Sequence, residues 1–173
     1  MFGIERWDVP PGALLNTYGG RSPERWRGYQ DCFRVRVDFE VSLGAFVTAF
    51  YTTPLFKLER MLLRVLLGIR SSDADAAALA ASAGSTFAAW YEGARTPVQL
   101  LMCDRYESTR SWFMVESLQG GGTRLCFGSA VAARPDRAAM PAKFRMLLSF
   151  HVLYSQLLLN AAARRLERRR LKR

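Results

Sequence analysis

The feature that most constrains this fold is a long uncharged stretch close to the C-terminus, residues 146–163, which contains no Asp, Glu, Lys or Arg. Its apolar residues recur at three- and four-residue steps among good helix formers, which predicts an α-helix that begins near Pro141. The length is close to that of a membrane span. However, Ser149, Gln156 and Asn160 share one side of this helix, and lipid would leave their polar groups without partners. We therefore expect a helix that packs with one side on a protein core.

Four stretches before this helix have the pattern of β-strands. In residues 32–39 apolar side chains alternate with charged ones. This pattern predicts a strand with one buried face and one solvent-exposed face. The other stretches are residues 98–106, 110–118 and 123–132, and Gln-Gly-Gly-Gly at 119–122 is typical of a hairpin turn. Consecutive strands with short connections predict an antiparallel sheet that buries one face against helices.

Two helices are predicted between the first strand and the second. The first begins after Ser42, is kinked or broken at Pro54 and ends at Gly68. The second begins after Ser72 and, because it is rich in alanine, is expected to reach about Glu92. The fold class is therefore α+β: an antiparallel sheet packed on a long C-terminal helix, with two helices inserted after the first strand.

A chain of 173 residues is expected to form one domain. Residues 1–28 are rich in Pro, Gly, Arg and Trp and predict an irregular lead segment, which is either a packed surface arm or a lid over a cleft. Residues 29–163 form the α+β domain, and residues 164–173 are a basic C-terminal tail.

The tail holds seven basic residues and one acidic residue, so it supplies +6 of the net charge of +10. Three interpretations of the tail stay open. It binds nucleic acid without sequence preference, it docks on an anionic membrane surface, or it is a solvated helix end that aids solubility. No motif for nucleic-acid recognition occurs in the rest of the chain.

The cysteine and histidine content argues against a metal or cofactor site. Cys32, Cys103 and Cys126 are far apart and form no CxxC pair, which favours reduced, buried thiols. There is one histidine, and no glycine-rich nucleotide-binding loop. The first residues lack the basic and then apolar pattern of a signal peptide, so we expect a cytoplasmic protein.

His151 is the first candidate for a functional residue. Tyr154 and Ser155 follow it by three and four residues, so both are its neighbours on a helix. A histidine that faces a cavity can act as a general acid or base. The alternative is a half-buried histidine whose ring nitrogens are satisfied by structural hydrogen bonds.

A second candidate is the hydroxyl cluster of Tyr51, Thr52 and Thr53 before the break at Pro54. These hydroxyls could form a polar spot in an apolar pocket. Alternatively, they bond to the backbone of the interrupted helix and have a structural role alone. Trp112 and Tyr154 complete the set of residues that we expect to contact a ligand.

Charged residues elsewhere have ordinary interpretations. Glu59 and Arg60 are expected to lie at the surface of the first helix. Arg110, Glu116, Arg124 and Asp104 lie on predicted strands, where cross-strand ion pairs on the solvent-exposed face are the usual arrangement.

The order of these elements resembles the helix-grip architecture of the START and SRPBCC superfamily, in which an antiparallel sheet wraps a long C-terminal helix. The resemblance covers roughly residues 30–166, and the superfamily usually has more strands than the four seen here. Residues 49–56, 109–112 and 127–130 also resemble segments of bacterial proteins of this size, from which no activity follows. The resemblance implies an apolar or aromatic small molecule bound between sheet and helix, and it implies no catalytic residue.

The leading hypothesis is a domain that binds an apolar small molecule in a cavity of roughly 300 Å3 or more. An enzyme that acts on such a ligand through His151 or the Tyr51–Thr53 cluster is one alternative. A module that interacts through residues 164–173 is the other. The hypothesis depends on an aromatic interior, for which seven phenylalanines are expected: Phe33, Phe46, Phe50, Phe113, Phe127, Phe144 and Phe150.

Overall fold

The structure is a computed structural model. It describes residues 2–17, 29–106, 108–131 and 142–172, with residues 142–149 described by their backbone alone. The predictions for residues 18–28, and for the side chain of Phe144, lie outside the described residues.

Seven strands form one antiparallel sheet in the order β1-β2-β7-β6-β5-β4-β3. The strands are β1 Glu5–Arg6, β2 Tyr29–Val37, β3 Thr86–Phe87, β4 Trp90–Arg95, β5 Gln99–Asp104, β6 Thr109–Ser117 and β7 Thr123–Val131. Four helices lie in the described residues: α1 Leu43–Tyr51, α2 Pro54–Leu67, α3 Asp73–Ala80 and α4 Ala142–Arg170. A 3-10 turn covers Leu14–Asn16.

The inner face of the sheet packs against the helices, and α4 contacts both β2 and α1. Alternate residues of the central strands supply the sheet side of this core, as the pleat requires. Phe33, Phe113 and Phe127 point inward and meet Phe46 and Phe50 of α1. The α+β prediction, a helix-grip arrangement with the sheet on a long C-terminal helix, is therefore confirmed.

The predicted break at Pro54 divides the first helix into α1 and α2. The hydroxyl of Thr53 accepts a hydrogen bond of 3.1 Å from the backbone N–H of Phe56. Pro54 occupies the first position of α2, where a backbone N–H would have no partner within the helix, so its absence costs no hydrogen bond. Gly68 ends α2 in the left-handed conformation, with φ of 69°. Of these features, the break at Pro54 and the end of the helix at Gly68 were predicted from the sequence.

The second predicted helix is much shorter than expected, and its extension to about Glu92 is wrong. The helix ends at Ala80, and Ser82 has a φ of 56°, which turns the chain out of the helix. Residues 90–95 then pair with β5, and Phe87 is buried in the core. Sheet pairing and aromatic burial outweigh the helix propensity of the alanines.

The outer face of the sheet is partly buried, which corrects the expectation that only one face of the sheet is buried and the other is exposed to solvent. Leu15 of the lead segment is fully buried on it. Gln99 anchors the lead segment on the sheet. Its Oε1 accepts hydrogen bonds from the N–H of Leu14 at 2.9 Å and from the indole N–H of Trp112 at 2.8 Å. Its Nε2 donates to the carbonyl of Gly12 at 3.2 Å. The lead segment thus forms a second, smaller core.

All three cysteines are free and buried in or beside this second core. Burial raises the pKa of the Cys32 thiol to about 12, and burial also raises the pKa of Cys126. The prediction of buried free thiols is confirmed, and the raised pKa values favour the protonated thiols of Cys32 and Cys126.

Helix α4 lies on the core along most of its described length. Leu158, Leu159 and Leu166 are buried. The helix continues through much of the basic segment and ends at Arg170. The expectation that Phe150 is interior is wrong: its side chain is 66% exposed. It lies on the outer side of α4, where its ring stacks on that of Tyr154 with the two ring centroids 6.1 Å apart.

None of the described helices combines the length and the hydropathy that crossing a bilayer requires.

Candidate functional site

A cavity of about 230 Å3 lies between the inner face of the sheet and helices α1, α2 and α4. It is smaller than the roughly 300 Å3 that we expected, because large aromatic rings fill most of the interior. For comparison, an apolar cavity of about 150 Å3 holds one benzene ring. The lining residues are Phe50, Tyr51, Phe56, Glu59, Trp90, Thr109, Arg110, Ser111, Phe127, Ser129, Ala130, Val131, His151, Tyr154, Ser155 and Leu158.

One wall of the cavity is a hydrogen-bonded network on the inner face of β2 and β7. The strand register places Asp31 opposite Ser129. Asp31, only 3% exposed, accepts hydrogen bonds from the hydroxyl of Ser129 at 2.7 Å, from the N–H of Ser129 at 3.1 Å and from the hydroxyl of Tyr29 at 2.9 Å. Burial and the charge of Asp31 raise the pKa of Tyr29 to about 12. A buried carboxylate with three donors is held in one orientation.

His151 joins this network through its Nε2, which lies 2.7 Å from the hydroxyl oxygen of Ser129. The hydrogen of that hydroxyl points to Asp31, so Nε2 of His151 is the donor and the serine oxygen is the acceptor. In nucleophilic catalysis the histidine lies between the acid and the serine. Here the serine lies between the acid and the histidine, so the network orients the imidazole ring and does not activate Ser129.

A second polar group, the carboxyl of Glu59 on α2, faces the cavity beside Tyr154. The hydroxyl of Tyr154 donates a hydrogen bond to Oε2 of Glu59, which ties α2 to α4. Burial raises the pKa of Glu59 above its ordinary value of 4.5, and the bond from Tyr154 opposes this in part. Burial and the nearby charge of Glu59 raise the pKa of the Tyr154 and Tyr51 hydroxyls as well.

The structure brings three of the predicted site residues to the cavity: Tyr51, His151 and Tyr154. Thr52 and Thr53 are buried but bond locally. The hydroxyl of Thr52 donates to the carbonyl of Thr48 at 2.7 Å, and that of Thr53 donates to the carbonyl of Phe50 at 2.9 Å. These bonds correspond to the structural alternative, in which the hydroxyls satisfy the backbone of the interrupted helix.

Trp112 is not brought to the cavity. It is fully buried on the outer face of the sheet, below the lead segment, where Gln99 accepts a hydrogen bond from its indole. Arg110 shares this outer face, since its strand partners Cys103 and Ala130 belong to the outer core. Its guanidinium donates to the carbonyl of Thr17 at 2.7 Å, and its side chain is buried, whereas we expected it on the solvent-exposed face. A cross-strand ion pair of the expected kind joins Glu116 to Arg124.

Three residues of the site were missed from the sequence. Asp31 and Ser129 become a pair through the register of two strands that lie 98 residues apart in the chain. Glu59 was expected at the surface because the residues around it in α2 include Lys57 and Arg60. A signal was available, since Glu59 lies three residues after the buried Phe56 and so shares its side of the helix.

Metal binding has no visible basis in this part of the chain, since the described residues contain no cluster of three or more His, Cys, Asp or Glu side chains that could hold an ion.

No family model matches the chain, and no curated protein matches it. Among solved structures, the crystal structure of Ara h 8.0201 is similar to 80% of this chain and to 97% of its own, with 10% sequence identity and a TM-score of 0.40. At this level of likeness, the match indicates neither a ligand nor an activity.

The environment of Glu59 gives a prediction for stability. Because the pKa of Glu59 is raised in the folded state, the folded protein binds the proton of this carboxyl group more tightly than the unfolded chain does. The free energy of unfolding therefore falls as the pH rises from 4.5 through the folded pKa. Glu59→Gln removes the charge and keeps an oxygen for Tyr154. We expect the variant to equal the wild type at about pH 4 and to be more stable at about pH 8, as measured by urea unfolding.

Glu116→Gln is the matched control, since Glu116 is half exposed and paired with Arg124. It should show no gain at the higher pH. A Glu59→Gln variant that is less stable than the wild type at both pH values would contradict the burial argument.

Proposed function

We propose that this protein binds a small molecule of one or two rings in the cavity, with a hydrogen-bond donor on the ligand that is recognised by Glu59. The observation that carries the proposal is the composition of the cavity wall. The wall is mainly apolar, with six aromatic residues among its lining, and hydrogen bonds fix polar groups on β7, α2 and α4, which is how small-molecule sites combine affinity with orientation. The resemblance of the element order to the START and SRPBCC superfamily supports the same class of function.

The volume of the cavity limits the size of the ligand. At about 230 Å3 it is larger than a site for one benzene ring and below the usual range of drug-sized pockets. Phe50 and Phe127 lie on opposite sides of the core, on α1 and β7, and their rings already touch at 4.6 Å between centroids. A planar ligand therefore fits beside these rings better than a long flexible chain does.

The polar groups limit the charge of the ligand. Glu59 presents a carboxyl group to the cavity, and the carboxylate of Asp31 lies directly behind Ser129. The guanidinium of Arg110 is turned to the outer face of the sheet, towards Thr17. A ligand with a carboxylate would thus meet acidic groups, while the guanidinium of the lining residue Arg110 is bonded to Thr17, whereas a hydroxyl or amine would find acceptors.

Three fluorescent compounds with one ring system test this proposal: naphthalene, 2-naphthol and 2-naphthoate at neutral pH. We expect 2-naphthol to bind with a dissociation constant on the order of 10–100 μM. Naphthalene should bind several-fold more weakly because it makes no hydrogen bond, and 2-naphthoate should show no saturable binding. Tighter binding of 2-naphthoate than of 2-naphthol, or no binding of any of the three, would overturn the proposal.

A further inference from the structure

A second feature of the molecule lies outside the cavity: a broad apolar surface on α2. Val65 and Leu66 are each 73% exposed, and Leu62 is about half exposed. Leucines and valines scattered singly on a surface need no explanation. Here, however, they follow one another on one helix and leave its outer side apolar, whereas Phe56 holds its inner side in the core.

Helix α4 extends this surface. Phe150, Leu153 and Leu157 recur at three- and four-residue steps, so they lie on one side of α4, and all three are exposed. The two helices meet where Tyr154 bonds to Glu59, and the ring of Phe150 stacks on Tyr154. The exposed apolar side chains thus belong to two helices in contact with each other, and together they define the exposed apolar face: Leu62, Val65 and Leu66 of α2 and Phe150, Leu153 and Leu157 of α4.

Basic residues border this face. On α2, a surface groove joins Met61 to Arg64 and Arg70, and neither arginine has an ion pair with a described residue. On α4 the side that carries Leu157 continues to Arg164 and Arg168, seven and eleven residues later, and both are exposed. The apolar surface thus has cations at two of its borders.

We propose that the exposed apolar face docks on the surface of a membrane that contains anionic lipid. Helices that lie in a membrane interface have this arrangement, with an apolar side that enters the boundary of the acyl chains and with Lys or Arg beside it at the level of the phosphates. The proposal does not depend on a ligand in the cavity.

The charges favour a lipid surface over the other ways to cover this face. A second copy of the chain would bring the same arginines together, which opposes association in a protein of net charge +10. Nucleic acid would neutralise the arginines but would leave the leucines and Phe150 exposed to water. A membrane with anionic lipid satisfies the apolar and the basic residues together.

Vesicle flotation tests this inference with the full chain, using vesicles of phosphatidylcholine alone and vesicles with about 30% phosphatidylserine. The wild type should float with the mixed vesicles and much less with the neutral ones. The variant Val65→Asp/Leu66→Asp should bind the mixed vesicles at least about tenfold more weakly, because it loses two apolar contacts and gains two negative charges.

The matched control is Val98→Asp/Tyr106→Asp, which adds the same charge at two exposed apolar positions on the β4–β5 and β5–β6 turns. It should bind as the wild type does, and circular dichroism should show that both variants are folded. Three results would overturn the proposal: Val65→Asp/Leu66→Asp binding that equals the wild type, wild-type protein that floats with neither kind of vesicle, or a wild-type dimer that the same variant dissociates without any vesicle binding.

Discussion

Replacing Phe113 by alanine should lower the free energy of unfolding by about 4 kcal/mol, a large part of the stability of a domain of this size. Phe113 is fully buried at the middle of the inner core. Its ring meets those of Phe46, Phe50, Tyr51 and Phe127, with centroids 4.9 to 5.6 Å apart. Truncation removes the burial of the ring, leaves a cavity that these neighbours cannot fill and loses several edge-to-face contacts.

Phe150→Ala is the control of the same residue type. Phe150 is 66% exposed, so the variant should differ from the wild type by less than about 0.5 kcal/mol. Urea unfolding followed by circular dichroism measures both values. If Phe113→Ala cost less than about 1.5 kcal/mol, the aromatic core would not be the main source of stability, and the packing described above would be wrong.

Replacing Ser111 by phenylalanine should abolish the binding of 2-naphthol, with a dissociation constant at least about 30-fold above that of the wild type. Ser111 lies on β6, directly opposite Ser129 of β7, and it lines the cavity. A phenylalanine ring at this position occupies much of the 230 Å3 that a ligand would use. Because the new ring enters existing space, the protein should stay folded.

Met114→Phe is the control on the same strand. Met114 is three residues from Ser111, so its side chain points to the outer face of the sheet, where it packs beside the second core. The variant should bind 2-naphthol as the wild type does, in the same fluorescence titration. Equal binding by Ser111→Phe and the wild type would show that 2-naphthol binds outside the cavity.

The sequence was most informative where the structure is local. The alternation in residues 32–39, the break at Pro54, the left-handed Gly68 and the glycine turn at 119–122 each follow from the conformational preferences of a few residues. Together with the helical apolar period of residues 146–163, these features were enough to predict the α+β fold class and the long C-terminal helix. They were not enough to predict the short strands β1, β3 and β4, whose pairing depends on a partner elsewhere in the sheet.

The site was harder to predict because its residues meet only through the tertiary structure. Asp31 and Ser129 become partners through strand register, and each looks ordinary in its own segment. Trp112 was assigned to the ligand, but the alternation of β6 places it opposite Phe113, on the outer face that the lead segment covers. His151 and Tyr154 were found because one helix presents both, at a spacing that the sequence shows directly.

The central claim is that the space between the sheet, α2 and α4 holds a ligand, and diffraction from crystals soaked in 2-naphthol tests it most directly. The claim predicts electron density for the naphthalene rings beside Phe50 and Phe127, with the hydroxyl at hydrogen-bonding distance from Glu59. Density that shows only water in the cavity at a saturating concentration of 2-naphthol, or naphthol rings bound only on the exposed apolar face, would contradict it.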